Sequence, residues 1–359
     1  MISVTKQLTG GLLLLFILTS SFAFSQSAGQ ESIRRLRDSR KGYNEAVSQI
    51  KAGQYQQALP DLNNAVKLDS AFKEAYLQRG KVLYELGNFP AALADFRKVI
   101  ALDDRMAEAY FDKAYLAFTT DTAVTGEKAD SIANDFTYAA EHGFSSPELY
   151  FCRGYLRLRN NNLAGAIADF SLAIDQEPKL AVAYHERGTA KKLLGDYQGA
   201  IYDYRQALNI DPNLKTAYTN MGSIKIHLGD FQGAIDDYSV AVTLDPGYYQ
   251  AFNSRGCAKY EMSDYKGAVD DFNAAILAND HYPAAYNNLG NALAKMENYT
   301  DAIAGFNKAI ELLPSYGDAF LNRGFVKETL GDLTGACADW KKAAELGVAS
   351  ASQYIKDCK

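Results

Sequence analysis

An aromatic side chain returns every 34 residues along most of this chain, at Tyr76, Tyr110, Tyr150, Tyr184, Tyr218, Phe252, Tyr286, Phe320 and Tyr354, with one interval stretched to 40. Self-similarity at this period marks stacked supersecondary units, each with an apolar face that it cannot bury alone. The period therefore predicts an elongated solenoid with a long exposed groove, a shape suited to binding rather than to transformation.

The residues between the aromatics decide which kind of repeat this is. From Ala181 as position 1, one unit reads Tyr184, Arg187-Gly188, Lys191, Leu194-Gly195-Asp196-Tyr197, Ala200, Tyr204, Ala207 and Ile210-Asp211-Pro212. This resembles the tetratricopeptide repeat (TPR) pattern, with an aromatic at position 4, a small residue at 8, alanine at 20, an aromatic at 24, alanine at 27 and proline at 32. Small residues recur at position 8 (Gly80, Ala114, Gly154, Gly188, Gly222, Gly256, Gly290, Gly324), where helix A must approach helix B. Alanines 92, 166, 200, 234, 268, 302 and 336 are expected to face them at position 20.

The eight prolines agree with this register, because proline inside a helix removes a hydrogen bond and clashes with the preceding turn. Pro178, Pro212, Pro246 and Pro314 follow helix B, Pro90, Pro147 and Pro283 sit where helices begin, and Pro60 is expected in a first turn. The resemblance implies an all-α, right-handed superhelical solenoid of about nine helix pairs over 39–347, with a degenerate first repeat and terminal capping helices. In the first unit Ile33, Leu36, Tyr43, Val47 and Ile50 fall on one helical face, and Arg34, Arg35, Arg37, Arg40 and Lys41 lie mostly off it. Residues 26–38 read as a linker leading into that cap. The third unit carries the extra six residues, expected between its two helices at 119–128, as a surface loop or a partner contact. At the far end 348–359 reads as a capping helix, and the run from Ala336 to Ala343 resembles the close of exported bacterial TPR proteins.

Residues 1–25 are of another kind: Lys6, an apolar run from Leu12 to Leu18, and Ala23-Phe24-Ser25. The run is shorter than the ~20 residues a spanning helix needs, and small residues stand where signal peptidase reads. These residues read as a signal peptide, giving a periplasmic or extracellular protein without stable membrane insertion. In an oxidising compartment disulfides persist. Cys337 in the last helix B and Cys358 in the helix expected to pack on it are the reachable pair, the alternative being two small buried thiols. Cys152 and Cys257 stand about three repeats apart and read as packing residues.

Without Lys6 the chain holds 36 basic and 43 acidic residues, a net charge of −7, which disfavours nucleic acid as a partner. The spacings that handle metals, phosphates or activated nucleophiles do not occur, so no catalytic residue, metal site or cofactor is expected. His185 and His227 sit in neighbouring repeats without a third ligand. Acid pairs such as Asp270-Asp271 recur at positions 22 and 23 and belong to the repeat. Asp95, Asp135, Asp169, Asp203, Asp271 and Asp339 each share a unit with Arg or Lys at position 7 (Arg79, Lys113, Arg153, Arg187, Arg255, Arg323), whereas Gly305 accompanies Leu289. This covariation predicts an ion pair from helix A to helix B in each unit, with Met221 beside Asp237 the exception.

In TPR proteins the groove is lined mainly by helix A. Here its early part offers Tyr84, Phe111, Tyr115, Phe118, Phe151 and Tyr155, and its later part Asn287 and Asn291 beside hydroxyls and His185. At position 6 stand Asn220, Asn288 and Asn322, resembling the asparagine ladder by which some TPR superhelices grip a peptide backbone; each amide both donates and accepts. These residues are the expected contacts to a protein or peptide partner. The other reading is an accessory role in polysaccharide export, with the aromatics stacking on sugars. If the leader is removed as expected, protein recovered from cells has the intact mass of a chain beginning at Gln26; a mass that includes Met1 would show the leader retained.

Overall fold

The computed structural model describes residues 29–121 and 124–358, and the expected signal peptide lies outside them. Among the described residues there is no strand. Helix α1 spans 29–51, and the following helices are α2 (Tyr55–Leu68), α3 (Lys73–Glu85), α4 (Phe89–Leu102), α5 (Ala107–Thr120), α6 (Gly126–Glu141), α7 (Pro147–Arg159), α8 (Leu163–Gln176) and α9 (Ala181–Leu193). Then come α10 (Tyr197–Ile210), α11 (Lys215–His227), α12 (Phe231–Leu244), α13 (Tyr249–Glu261), α14 (Tyr265–Ala278), α15 (Pro283–Lys295), α16 (Tyr299–Leu312), α17 (Gly317–Thr329), α18 (Leu333–Glu345) and α19 (Ala351–Tyr354). The chain divides into two compact units, one ending at Gly165 and the other beginning at Ala166, inside α8. This is the TPR solenoid class of fold.

The turn between paired helices follows from local chemistry. Gly195 takes φ 82° after α9, a conformation that costs other residues strain. The next residue, Asp196, accepts a hydrogen bond from Gly199 N at 2.9 Å and so satisfies one of the orphan amides of α10. Asp230, Asp264 and Asp332 cap α12, α14 and α18 in the same way.

Where position 8 is glycine, the helix pair closes on a contact that leaves no room for a Cβ, whereas Ala46 and Ala114 hold that position in the first and third units. A methyl at Gly256 would lie 2.7 Å from Phe272 Cε1, and one at Gly80 2.5 Å from Phe96 Cε1. The glycine of position 8 therefore faces chiefly the aromatic of position 24, with the alanine of position 20 alongside. Those rings, Phe96, Phe136, Tyr204, Tyr238, Phe272, Phe306 and Trp340, are buried and form the middle of each pair's core.

Beside that contact runs the expected ion pair. Arg187 Nε and Nη2 donate to the two oxygens of Asp203 at 2.9 and 2.7 Å, and Arg79–Asp95, Arg255–Asp271 and Arg323–Asp339 repeat this two-pronged geometry. Lys113 and Asp135 pair at 2.8 Å. Two further partners were not foreseen. Lysine at position 11 reaches the same carboxylate, Lys191 to Asp203 and Lys259 to Asp271 both at 2.8 Å, and Lys225 alone pairs with Asp237 at 2.7 Å, where Met221 has replaced the arginine. The free arm of each arginine donates to position 25 of the preceding unit, Arg187 to Ser171 at 2.9 Å and Arg255 to Ser239 at 3.1 Å. One side chain thus joins three helices while its guanidinium lies over the position 4 ring, 5.5 Å from the Tyr184 centroid.

Several expectations change. Helix α1 runs unbroken across the boundary placed at 38/39. Ile33 and Leu36 are 69 % and 46 % exposed rather than packed, because antiparallel α2 ends at Leu68, near Ser39, and the first turns of α1 extend past that end. Pro60 is the sixth residue of α2, not in its first turn, so a bond to the carbonyl of Gln56 is forgone. The six extra residues of the third unit are spread out: one lengthens α5, two widen the turn, two lengthen α6 and one follows it. The C-terminal cap is only the four residues of α19 and a 3-10 turn, Ile355–Asp357. Tyr354 there packs edge-on to Phe325 at 4.8 Å. Cys337 of α18 and Cys358 are joined by a disulfide, their Cα atoms 5.6 Å apart. A loop of this length is stabilised by about 3 kcal/mol in the chain-entropy account.

The Asp271 side chain is 4 % exposed and holds two cations. Its replacement by alanine leaves both uncompensated, and a loss of about 3–5 kcal/mol is expected, measured as a lower urea midpoint by circular dichroism. Exposed Asp270 changed in the same way should stay within about 0.5 kcal/mol.

Candidate functional site

The structure places a pocket of the same construction in each unit. In the first, Lys81, Tyr84 and Glu85 of α3, Phe96 of α4, and Phe111, Asp112 and Tyr115 of α5 line about 350 Å³, closed by Phe144 and Glu148. In the second, Cys257, Tyr260 and Glu261 of α13, Phe272 of α14, and Asn288 and Asn291 of α15 line about 170 Å³. Both are built from positions 9, 12, 13 and 24 of one repeat and positions 6 and 9 of the next. The repeat geometry thus generates a side-chain-sized slot from successive A helices.

Of the residues expected in the groove, Tyr84, Phe111 and Tyr115 meet in the first pocket. Phe111 stacks on Phe144 with centroids 4.5 Å apart, and Tyr84 and Tyr115 stand 6.2 Å apart. Phe118 and Tyr155, edge-on at 5.8 Å, line a separate hollow of about 440 Å³ walled by Asp121, Val124 and Thr125 of the lengthened turn. Phe151 packs toward Tyr155 at 6.5 Å. These six rings are half-buried, so each both supports the array and keeps a face outward.

The asparagines form inter-repeat bridges. Asn220 Nδ2 lies 3.3 Å from His185 Nε2, Asn288 Nδ2 donates to Asn253 Oδ1 at 3.0 Å, and Asn322 Nδ2 donates to Asn287 Oδ1 at 3.0 Å. In each case position 6 of one unit reaches position 5 of the unit before it. Asn287, expected as a contact, is buried and serves as such an acceptor while donating to Asn288 Oδ1 at 3.3 Å. Asn288 also donates to Cys257 Sγ at 3.4 Å, and burial pushes that thiol up to about 11, far from thiolate reactivity. His227 packs on Tyr197, away from His185. Among the described residues no group of three His, Cys, Asp or Glu side chains is placed to hold a metal ion, and no helix is long and apolar enough to cross a membrane.

Asp112 stands at position 6, where Asn220, Asn288 and Asn322 stand in later units, and sequence reasoning overlooked it. Its side chain is 12 % exposed, and Oδ2 is closed off from solvent without an aligned hydrogen bond, 3.5 Å from Lys81 Nζ. Lys81 is turned toward Glu108 at 2.5 Å. Burial pushes the Asp112 carboxyl up to about 7, outweighing the attraction of Lys81, with Glu108 adding repulsion. Comparing position 6 across the units, rather than the aromatics alone, would have revealed the substitution of a carboxyl for an amide.

A helix pair recurring in register, with slots opening between consecutive A helices, defines a helical-repeat binding scaffold. Tetratricopeptide repeat models match residues 43–107, 77–133, 216–248 and 283–316, and a TPR repeat model matches 188–225, together more than half of the chain. The chain belongs to the tetratricopeptide repeat family. Among solved structures it is similar to a tetratricopeptide repeat protein from Parabacteroides merdae (18 % identity, TM-score 0.53, covering 70 % of this chain and 97 % of that one). It is similar also to PilF of Pseudomonas aeruginosa (18 % identity, TM-score 0.52, 59 % and 97 %) and to YrrB, described as a TPR protein with an unusual peptide-binding site (17 % identity, TM-score 0.50, 54 % and 97 %). At these identities the likeness is one of fold. No curated protein matches the chain.

The raised carboxyl of Asp112 has a consequence for stability. The folded chain keeps a proton that the unfolded chain releases above the ordinary 3.8, so stability falls as pH rises from there to about 7. The fall is on the order of 4 kcal/mol. Asp112→Asn should remove that part of the pH dependence and raise the urea midpoint at pH 8 relative to the unchanged chain; equal slopes in the two proteins would contradict it.

Proposed function

We propose that this protein is a non-enzymatic, exported TPR scaffold that binds an extended segment of a protein partner along the inner faces of its A helices. The observation that carries the reading is the recurrence of one slot in both units, built from the same repeat positions. A slot of this construction suits a side-chain anchor carried by an extended segment. Between anchors, the bridging asparagines border the segment's path, and the second N–H of Asn322 is available to a peptide carbonyl. The polar bridges hold these amides in place, which limits the ordering cost of binding. Export is supported by the leader-like 1–25 and by the Cys337–Cys358 bond, since disulfides endure in oxidising compartments.

The test is direct binding to the protein recovered from cells expressing the full chain, using immobilised capped peptides beside an oligosaccharide array. Peptide retention that weakens about tenfold or more in the Asn220→Ala, Asn288→Ala, Asn322→Ala triple variant, with helicity unchanged, is the expected result. Retention of oligosaccharides alone would replace this reading with the carbohydrate one.

A further inference from the structure

We infer that the slot between α3 and α5 selects a cationic side chain, lysine or arginine, of the bound segment. The inference rests on the peptide-binding reading above and adds the chemistry of one anchor. The second unit supplies an internal comparison, because its slot has the same construction with different charges. There position 6 is Asn288 and position 9 is Cys257, both neutral; here they are Asp112 and Lys81.

The charges in the first slot do not cancel. Lys81 bridges Glu108 at 2.5 Å and stands 3.5 Å from Asp112, so one ammonium faces two carboxyls. Glu85 and Glu148 line the same slot, and among the described residues neither forms an ion pair or hydrogen bond. Asp112 Oδ2 is the decisive atom: it is removed from water, accepts no aligned hydrogen bond, and belongs to a side chain lining the slot. A buried acceptor of this kind is costly unless a partner arrives. The aromatic rings act in the same sense. Tyr84, Phe111, Tyr115 and Phe144 surround the opening, and a ring face attracts a cation most strongly where both are shielded from water. An aliphatic stem capped by a positive charge fits such a lining, the methylenes against the rings and the charge toward Asp112, Glu85 and Glu148. An acidic side chain would meet three carboxyls, and a purely apolar one would leave Asp112 unsatisfied.

A bound cation favours the ionised carboxyl, so the preference should strengthen as pH rises through about 7, where Asp112 deprotonates. Among the described residues the other charged groups at the slot are Glu85, Glu148 and Lys81, with Glu108 paired to Lys81.

The experiment presents the full chain with a capped nonapeptide positional-scanning library, one position fixed and the rest equimolar mixtures, at pH 5.5 and pH 8. At pH 8, peptides with lysine or arginine at one position should be retained at least about tenfold over those with norleucine or glutamate there. The preference should shrink at pH 5.5. Asp112→Asn, which copies the amide already present at Asn288, should abolish the preference with the helicity unchanged. Peptide binding without a cationic preference, or a preference that survives Asp112→Asn, overturns this inference and leaves the peptide reading standing. Retention of no peptide in the library overturns both.

Discussion

The close approach of helix A to helix B at position 8 is the constraint on which the rest of the structure depends. With no Cβ at Gly80, Gly188, Gly222, Gly256, Gly290 and Gly324, the ring of position 24 can lie against the backbone of helix A. That contact sets the depth to which Phe96, Tyr204, Phe272 and their equivalents are buried. It also brings positions 7 and 23 into hydrogen-bond range, so the arginine and aspartate can form their two-pronged pair. A larger residue at position 8 would separate the pair of helices and, with it, the slots that open beside them.

The ion pairs have a second role that follows from burial. An aspartate such as Asp203, whose side chain is fully buried, is costly without partners. It receives two cations from its own helix A, and the arginine then reaches back to the preceding unit. The units of Arg79, Arg187, Arg255 and Arg323 are thereby held in register with their predecessors by polar geometry as well as by apolar contact. The asparagine bridges at position 6 do the same on the inner face, where His185–Asn220, Asn253–Asn288 and Asn287–Asn322 join consecutive A helices. Asp112 departs from that scheme: it puts a carboxyl where Asn220, Asn288 and Asn322 make amide bridges, and its Oδ2 is left without an aligned hydrogen bond.

Much of the fold was legible because the repeat supplies the same answer nine times. Turn glycines, capping aspartates and helix-ending prolines agree with the 34-residue period, so local and global signals coincide. The expectations that failed concern places where the period gives no guidance. Ile33 and Leu36 have the right spacing for a packed face, but packing requires a facing helix, and antiparallel α2 ends too soon, at Leu68, to provide one. The extra residues of the third unit could be counted from the spacing of Tyr110 and Tyr150, whereas their distribution over α5, the turn, α6 and the turn after it depends on how α6 packs.

The sequence by itself determined the family, the register of its helices, the pairing of position 7 with position 23 and the aromatic character of the early repeats, because each is written into a recurring interval. Only the tertiary structure decided which side chains meet across repeats. It brought Lys81, Asp112, Glu85 and Glu148, drawn from three different helices, to one slot, and it turned Asn287 from an expected ligand into a buried acceptor. The physical reason is that solvent exposure and the state of a carboxyl are set by neighbours from adjacent units, and a one-dimensional period places those neighbours in register without stating which atoms remain unpaired.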